Sequence, residues 1–462
     1  MEEKTSAQSV SGVSATVEKP KHSLGFSELY ALGVGQVIGA GVVTVLGAAM
    51  AVTGKSVWIA YFAAVVLGFM NIWPTFVYSS MARLNGGGYS MVAALCPPIF
   101  AGITLVSFIP TSFALSLFGI ALGQYTQSLI PQFNPRTVGV IITTFFYLIN
   151  LVKIKDMARV QKLMTWLLIT TLVLFCIFGL PKVNSAPFDF SAADYFSGGS
   201  KGFITAVILL VYSTTSYNMV INYGRDAKRP KKNIPNSMWL SILTITILYS
   251  LIAIVASGIL PIGDVAGKPL TYVARIIMPG PLFILFIGGG VIMALATTLN
   301  SMFGSFANVL LAGARDGWFP RSMAQPNRFG RPWIMITIIY IISIVPIIAN
   351  LNVATVTNNI VLLSYTVKII AAVSLYILPF RYPDLCKKSK YFISAPFYFI
   401  TISISNISLI IVTVLSASAL TPALVIISLG SIAFCALYSL WRIKAGKIKM
   451  ENVFILNEGD DD

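Results

Sequence analysis

The chain repeats apolar runs of about twenty residues, the length that carries a helix across the hydrocarbon core of a bilayer. In lipid a spanning backbone must satisfy its own hydrogen bonds, so these runs are expected as helices and not as open strands. Composition agrees. Of 462 residues, 56% are hydrophobic and 10% charged, whereas soluble proteins carry about 25% charged residues. The reading is an all-α membrane protein with 12 transmembrane helices, centred near Val37, Leu67, Leu115, Thr144, Leu172, Leu210, Leu248, Met293, Tyr340, Ser364, Ile404 and Leu429. Residues 1–23 are polar and lack the apolar centre of a cleavable signal. They read as a disordered cytoplasmic tail. A twelve-helix domain is expected over 24–441, and a second cytoplasmic tail over 442–462 closes on Glu458-Gly459-Asp460-Asp461-Asp462.

The net charge of +16 invites a nucleic-acid reading until the charges are placed. With the N-terminus in the cytoplasm, 25 lysines and arginines fall on the inner side and six on the outer, with Lys368 inside a span. That bias follows the positive-inside rule and sets both termini in the cytoplasm of a cell-membrane protein. The basicity is topological, and no nucleic-acid partner is expected.

Absences narrow the chemistry further. None of the 16 carboxylates falls at mid-membrane, and the single histidine, His22, precedes the first span. Intramembrane aspartyl proteolysis and zinc catalysis therefore lack their groups. No phosphate-binding G-x-x-x-x-G-K-[ST] loop is present, so the chain has no ATPase motor of its own. Cys96, Cys176, Cys386 and Cys435 show no metal-ligand spacing. An enzyme is not expected, and neither is a metal or organic cofactor.

Two spans are anomalous. The first reads Gly33-Val34-Gly35-Gln36-Val37-Ile38-Gly39-Ala40-Gly41, and each glycine weakens a helix by ~1 kcal/mol relative to alanine. Glycine also permits close helix packing, so this patch alone has two explanations. The sixth span, however, turns polar at Tyr212-Ser213-Thr214-Thr215-Ser216-Tyr217-Asn218. Such a run at mid-membrane is costly unless it lines a cavity or replaces lost backbone bonds. Breaks in matching positions of two repeats mark the binding sites of many transporters. A half-helix restarting at Gly39, Ala40 and Gly41 offers free N–H groups to a carboxylate. Carbonyls at the unwound turns suit an ammonium, and the pair describes a zwitterion.

These residues carry a resemblance. Val37-Ile38-Gly39-Ala40-Gly41-Val42 resembles the first-helix signature of the amino acid–polyamine–organocation (APC) superfamily of transporters. Four further stretches are similar to its motifs, in the same order: Arg83-Leu84-Asn85-Gly86-Gly87-Gly88-Tyr89, Asp226-Ala227-Lys228-Arg229-Pro230-Lys231-Lys232-Asn233-Ile234-Pro235, Ala314-Arg315-Asp316-Gly317-Trp318-Phe319-Pro320 and Arg381-Tyr382-Pro383-Asp384-Leu385. The resemblance implies a five-plus-five inverted-repeat (LeuT-like) core with helices 1 and 6 broken, two added C-terminal helices and alternating access. The repeats would occupy 24–180 and 201–380, and the added helices 391–441. It further implies that Ile38, Gly39, Ala40 and Gly41 hold a substrate carboxylate, that Thr214, Thr215 and Ser216 surround its amine, and that Tyr217 closes over it from outside.

Departures concern energy coupling. Many relatives carry a fifth-helix lysine beside the first break, where this chain has Leu168. Thr297 and Thr298 fall where sodium-dependent members coordinate the ion, although hydroxyls in helices commonly bond the preceding turn. Lys368, an intramembrane lysine, is a functional candidate or a side chain that snorkels to the headgroups. Sodium or protons are thus the candidate coupling ions. With no intramembrane carboxylate to neutralise a second positive charge, a neutral amino acid is the favoured substrate, carried by symport or exchange. The rival reading is an amino-acid-binding sensor or the membrane subunit of a larger complex on the same fold. No feature specifies an oligomeric state.

Overall fold

The computed structural model describes residues 23–39, 41–184, 186–351, 353–418, 420–450 and 454–455. The expected N-terminal tail up to residue 22, Ala40 and the acidic end 456–462 lie outside them. The helices used below are α1 (Phe26–Val37), α2 (Leu46–Thr53), α3 (Val57–Met81), α4 (Gly88–Leu95), α5 (Pro98–Val106), α6 (Leu115–Leu129), α7 (Pro135–Leu151), α8 (Ile154–Gly179) and α9 (Gly199–Thr214). They continue with α10 (Pro230–Gly258), α11 (Met293–Arg315), α12 (Trp333–Ile348), α13 (Val353–Ser374), α14 (Ala395–Ser418) and α15 (Pro422–Lys444).

Local chemistry sets several starts. Glu28 reaches back to the Gly25 amide (3.0 Å) and opens α1. Asn134 accepts from the Arg136 amide at 2.9 Å and, with Pro135 in the first turn, caps α7. Proline also begins α10 and α15. Among the described residues, nine helical stretches are long and apolar enough to cross a bilayer, and Pro135–Leu151 and Trp333–Ile348 are shorter apolar helices. All twelve expected centres lie within helices. The span expected at Val37 is divided: α1 stops there, and a wide π turn over Gly41–Val45 leads into α2.

At the middle of the bundle, α1 is wrapped by α8, α10, α11 and the turn Ser216–Tyr223. Outside it, α3 packs on α9, α10 and α14, while α13 packs on α14 and α15. Beyond α15 the described residues return to the domain. The Lys449 amide donates to the Asp316 carbonyl (2.9 Å), and Phe454–Ile455 pairs antiparallel with Arg83–Leu84.

Candidate functional site

Both anomalous spans are broken where the sequence changes character. Ile38 leaves the helical region (φ −80°, ψ 80°), and the Gly39 amide turns back to the Val37 carbonyl at 3.0 Å. A helix that stops here orphans its last carbonyls. Side chains from neighbouring helices take them over. Thr298 Oγ1 donates to the Gly35 carbonyl at 3.0 Å, and Tyr249 OH to the Val37 carbonyl at 3.1 Å. One turn earlier, Thr165 Oγ1 donates to the Ala31 carbonyl at 3.0 Å.

The second break follows Thr214. Thr215 carries φ −112°, and Ser216–Tyr223 continues as a tight 3-10 turn. The two breaks are adjacent. A β-carbon on Gly41 would strike Ser213, and the whole 216–223 turn packs along α1. Their relative placement is fixed further down the chain, where the Ser23 and Leu24 amides donate to the Asp226 carbonyl at 3.0 Å and Asn308 Nδ2 reaches Asp226 Oδ2 at 2.9 Å.

The hydroxyls near the second break differ in their bonding. Ser213 and Thr214 donate to the Leu210 and Val211 carbonyls of their own turn (2.8 and 2.9 Å). Thr215 and Ser216 are half-buried beyond that turn. Tyr217 is buried, and its hydroxyl finds no hydrogen-bond partner among the described residues, as does that of Tyr61, whose ring lies 5.1 Å from Tyr249. Tyr217 backs onto Gly33, nearer the start of α1 than Gly41 is.

The coupling candidates separate. Thr297 Oγ1 bonds back to the Met293 carbonyl at 2.8 Å, while its Cβ faces Gly35. Thr298 stands between the Ala294 and Gly35 carbonyls, 3.0 Å from each. Leu168 is buried in the core of α8. Lys368 lies on α13 with its ammonium 5.3 Å from the Tyr365 ring, and neither α1 nor the 216–223 turn is among the principal neighbours of α13. Among the described residues no cluster of three or more His, Cys, Asp or Glu could hold a metal.

The sequence reading missed a buried amide chain behind the first break. Asn150 Nδ2 donates to Asn300 Oδ1 (2.9 Å), Asn300 Nδ2 to Gln161 Oε1 (2.8 Å), and Gln161 Nε2 reaches the Ala31 carbonyl (3.4 Å). It also missed a latch on the face where α1 begins. Tyr89 OH donates to Asp316 Oδ2 (2.7 Å) and accepts from Trp318 Nε1 (2.8 Å), while the Gly88 amide donates to Asn222 Oδ1 (3.2 Å). Burial pushes the Asp316 carboxyl up to about 7, against the opposing pull of Tyr89 and Arg315. Three of the stretches that carry the resemblance thus meet around the 216–223 turn and the end of α11.

Residues 24–440 match the family model described as amino acid permease. The branched-chain amino acid permease BcaP of Bacillus subtilis is 23% identical over 353 residues, covering 70% of this chain and 73% of that protein. The serine/threonine exchanger SteT of the same organism is 26% identical over 229 residues, covering 47% of this chain and 51% of SteT. An uncharacterised protein of Methanocaldococcus jannaschii, MJ0609, is 25% identical over 228 residues, or 48% of this chain and 52% of that protein. The matched region therefore spans about half the length of MJ0609 and SteT, and nearly three quarters of BcaP.

Proposed function

The chain belongs to the amino acid permease family of the APC superfamily and is a multi-pass membrane permease, not an enzyme; from that premise we propose that it carries a neutral amino acid across the cell membrane by alternating access. The observation that carries this reading is the adjacency of the two helix breaks. Backbone amides where the chain restarts at Gly41 would take the carboxylate, since an interrupted helix presents unpaired N–H groups and a positive dipole end. The unwound carbonyls, with Thr215 and Ser216, would take the ammonium. Thr214, whose hydroxyl proton goes to the Val211 carbonyl, would keep its oxygen lone pairs as a further acceptor for the ammonium. Tyr217 would seal the site from the side where α1 begins, its unpartnered hydroxyl turned to the substrate or to water.

A five-plus-five repeat with twelve spans, broken at helices 1 and 6, is the architecture in which such paired breaks alternate their access. The 25-to-6 distribution of basic residues favours cytoplasmic termini. Thr298 beside the Gly35 carbonyl supports sodium as the coupling ion, because it places a hydroxyl and a carbonyl oxygen together at the break.

The test is uptake of a panel of radiolabelled amino acids into liposomes holding the purified protein, under a sodium gradient, a proton gradient, or preloaded amino acid. The expected result is uptake of a neutral amino acid, with sodium dependence lost in Thr298→Ala. Binding of an amino acid with no flux under any condition would make the protein a sensor or the subunit of a complex. No binding at all would remove the zwitterion site.

A further inference from the structure

Beside the start of α10 lies a cavity of about 410 Å³. Five cations line it: Arg229, Lys231 and Lys232 from the beginning of α10, and Lys388 and Lys390 from the loop before α14. Among the described residues no carboxylate lines it. Its floor is neutral, formed by Ser80 and Ser389, whose hydroxyls lie 2.6 Å apart. Gathering five like charges is unfavourable, and three of them sit at a helix start, where the dipole disfavours cations. An anion in the cavity relieves both.

A second feature of opposite character lies beside the cavity. A groove of about 530 Å³ runs along α10, lined by Asn236, Trp239, Leu240, Leu243 and Thr246 among others. Trp239, Leu240 and Leu243 are exposed large apolar residues in one helical stripe. Asn236 joins the two features, lining the groove while accepting from Lys390 Nζ (3.4 Å) and Tyr391 OH (3.3 Å). From Asn236 to Thr246 the helix rises ~15 Å, half of the ~30 Å hydrocarbon core. Trp239 also packs against Phe69 and Phe76 (ring centroids 5.0 and 5.6 Å), an aromatic group of the kind that gathers at the membrane interface.

We propose that the basic cavity and the α10 groove form one binding site for an anionic phospholipid of the adjoining leaflet, headgroup phosphate among the five cations and an acyl chain along Trp239, Leu240 and Leu243. A soluble phosphate or nucleotide would use the cavity but leave the groove without a role. A neutral phospholipid would fill the groove but not answer the charge. Only a ligand with both parts matches the length, polarity and order of the two features. The site is distinct from the transport reading, since its lining includes none of the residues assigned to the breaks.

The full-length protein is placed in nanodiscs of phosphatidylcholine doped with brominated phosphatidylglycerol or, in parallel, with brominated phosphatidylcholine. Bromine quenches tryptophan at contact range. The expected result is stronger quenching by the anionic lipid, corresponding to a preference on the order of tenfold. The excess should fall in Trp239→Phe and disappear in a combined Lys232→Gln, Lys388→Gln, Lys390→Gln variant. Unchanged quenching of that variant by brominated phosphatidylcholine reports that it is folded and embedded. Equal quenching of the native protein by the two lipids, or an excess that survives the triple substitution, overturns the proposal. So does an excess abolished by low millimolar-range soluble glycerol phosphate, which would assign the cavity to a soluble anion.

Discussion

Helices α11 and α15 are both 23 residues long, and the apolar stretches containing them have nearly the same mean hydropathy, 2.3 and 2.2. The most apolar window of the stretch containing α11 is 61% buried within the protein, that of α15 only 17%. Hydropathy reports that a segment suits lipid. It does not report whether the segment meets lipid or protein. What separates the two is how polar groups are used. Thr297, Thr298, Asn300, Ser301, Ser305 and Asn308 of α11 are buried against α1, α8 and the 216–223 turn. On α15 the buried positions, Ser428, Cys435, Ser439 and Arg442, form a single narrow stripe, and Ile426, Phe434 and Leu437 are exposed.

Gly35→Val is the most damaging way to disturb this contrast. A β-carbon there would collide with Gln161, Thr165 and Thr297, driving α1 from both α8 and α11. Overpacking of this kind costs ~1–3 kcal/mol, and because it displaces the break itself, uptake into liposomes should be lost. Asn300→Leu comes next. It leaves Gln161 and Asn150 without their shared partner in the interior, at ~1–3 kcal/mol for each orphaned group. A clear drop in the thermal midpoint of the detergent-solubilised protein is the check.

A smaller effect is expected just beyond α11, at Asp316. Its carboxyl is pushed up to about 7 from an ordinary value of 3.8, so the folded state favours the protonated form. The stabilisation is complete below the ordinary carboxylate range and is lost as pH rises through about 7. The midpoint of the native protein should therefore fall between pH ~4 and ~7, and Asp316→Asn should flatten that dependence. On α15, Phe434→Leu should change the midpoint least, within about 0.5 kcal/mol. A large loss there would mean that this exposed face is covered by another protein.

Much of the fold was legible from the sequence because bilayer length and the cost of bare backbone act locally. The first break was announced by Gly33, Gly35, Gly39 and Gly41, and the second by the hydroxyl run 212–216. The placement of Tyr217 was not legible. Beyond Thr215 the chain tightens into a 3-10 turn, so a 3.6-residue periodicity no longer tells which way a side chain points. The amide chain from Asn150 through Asn300 to Gln161 was also hidden, because its members lie on three helices and meet only by packing. Lys368 drew notice as a lone charge in an apolar run, and on α13 its ammonium lies 5.3 Å from the Tyr365 ring, a neighbour that the run alone does not single out.

The central claim is that substrate sits between the two helix breaks. Its most direct test is thiol labelling of Ser216→Cys, made with Cys96, which is half-buried, replaced by alanine. Labelling rates are compared with and without the amino acid that the liposome assay identifies as substrate. The account predicts that the substrate protects Cys at position 216 while a non-transported amino acid does not. Transport by this variant with an unprotected thiol would place the substrate elsewhere and contradict it.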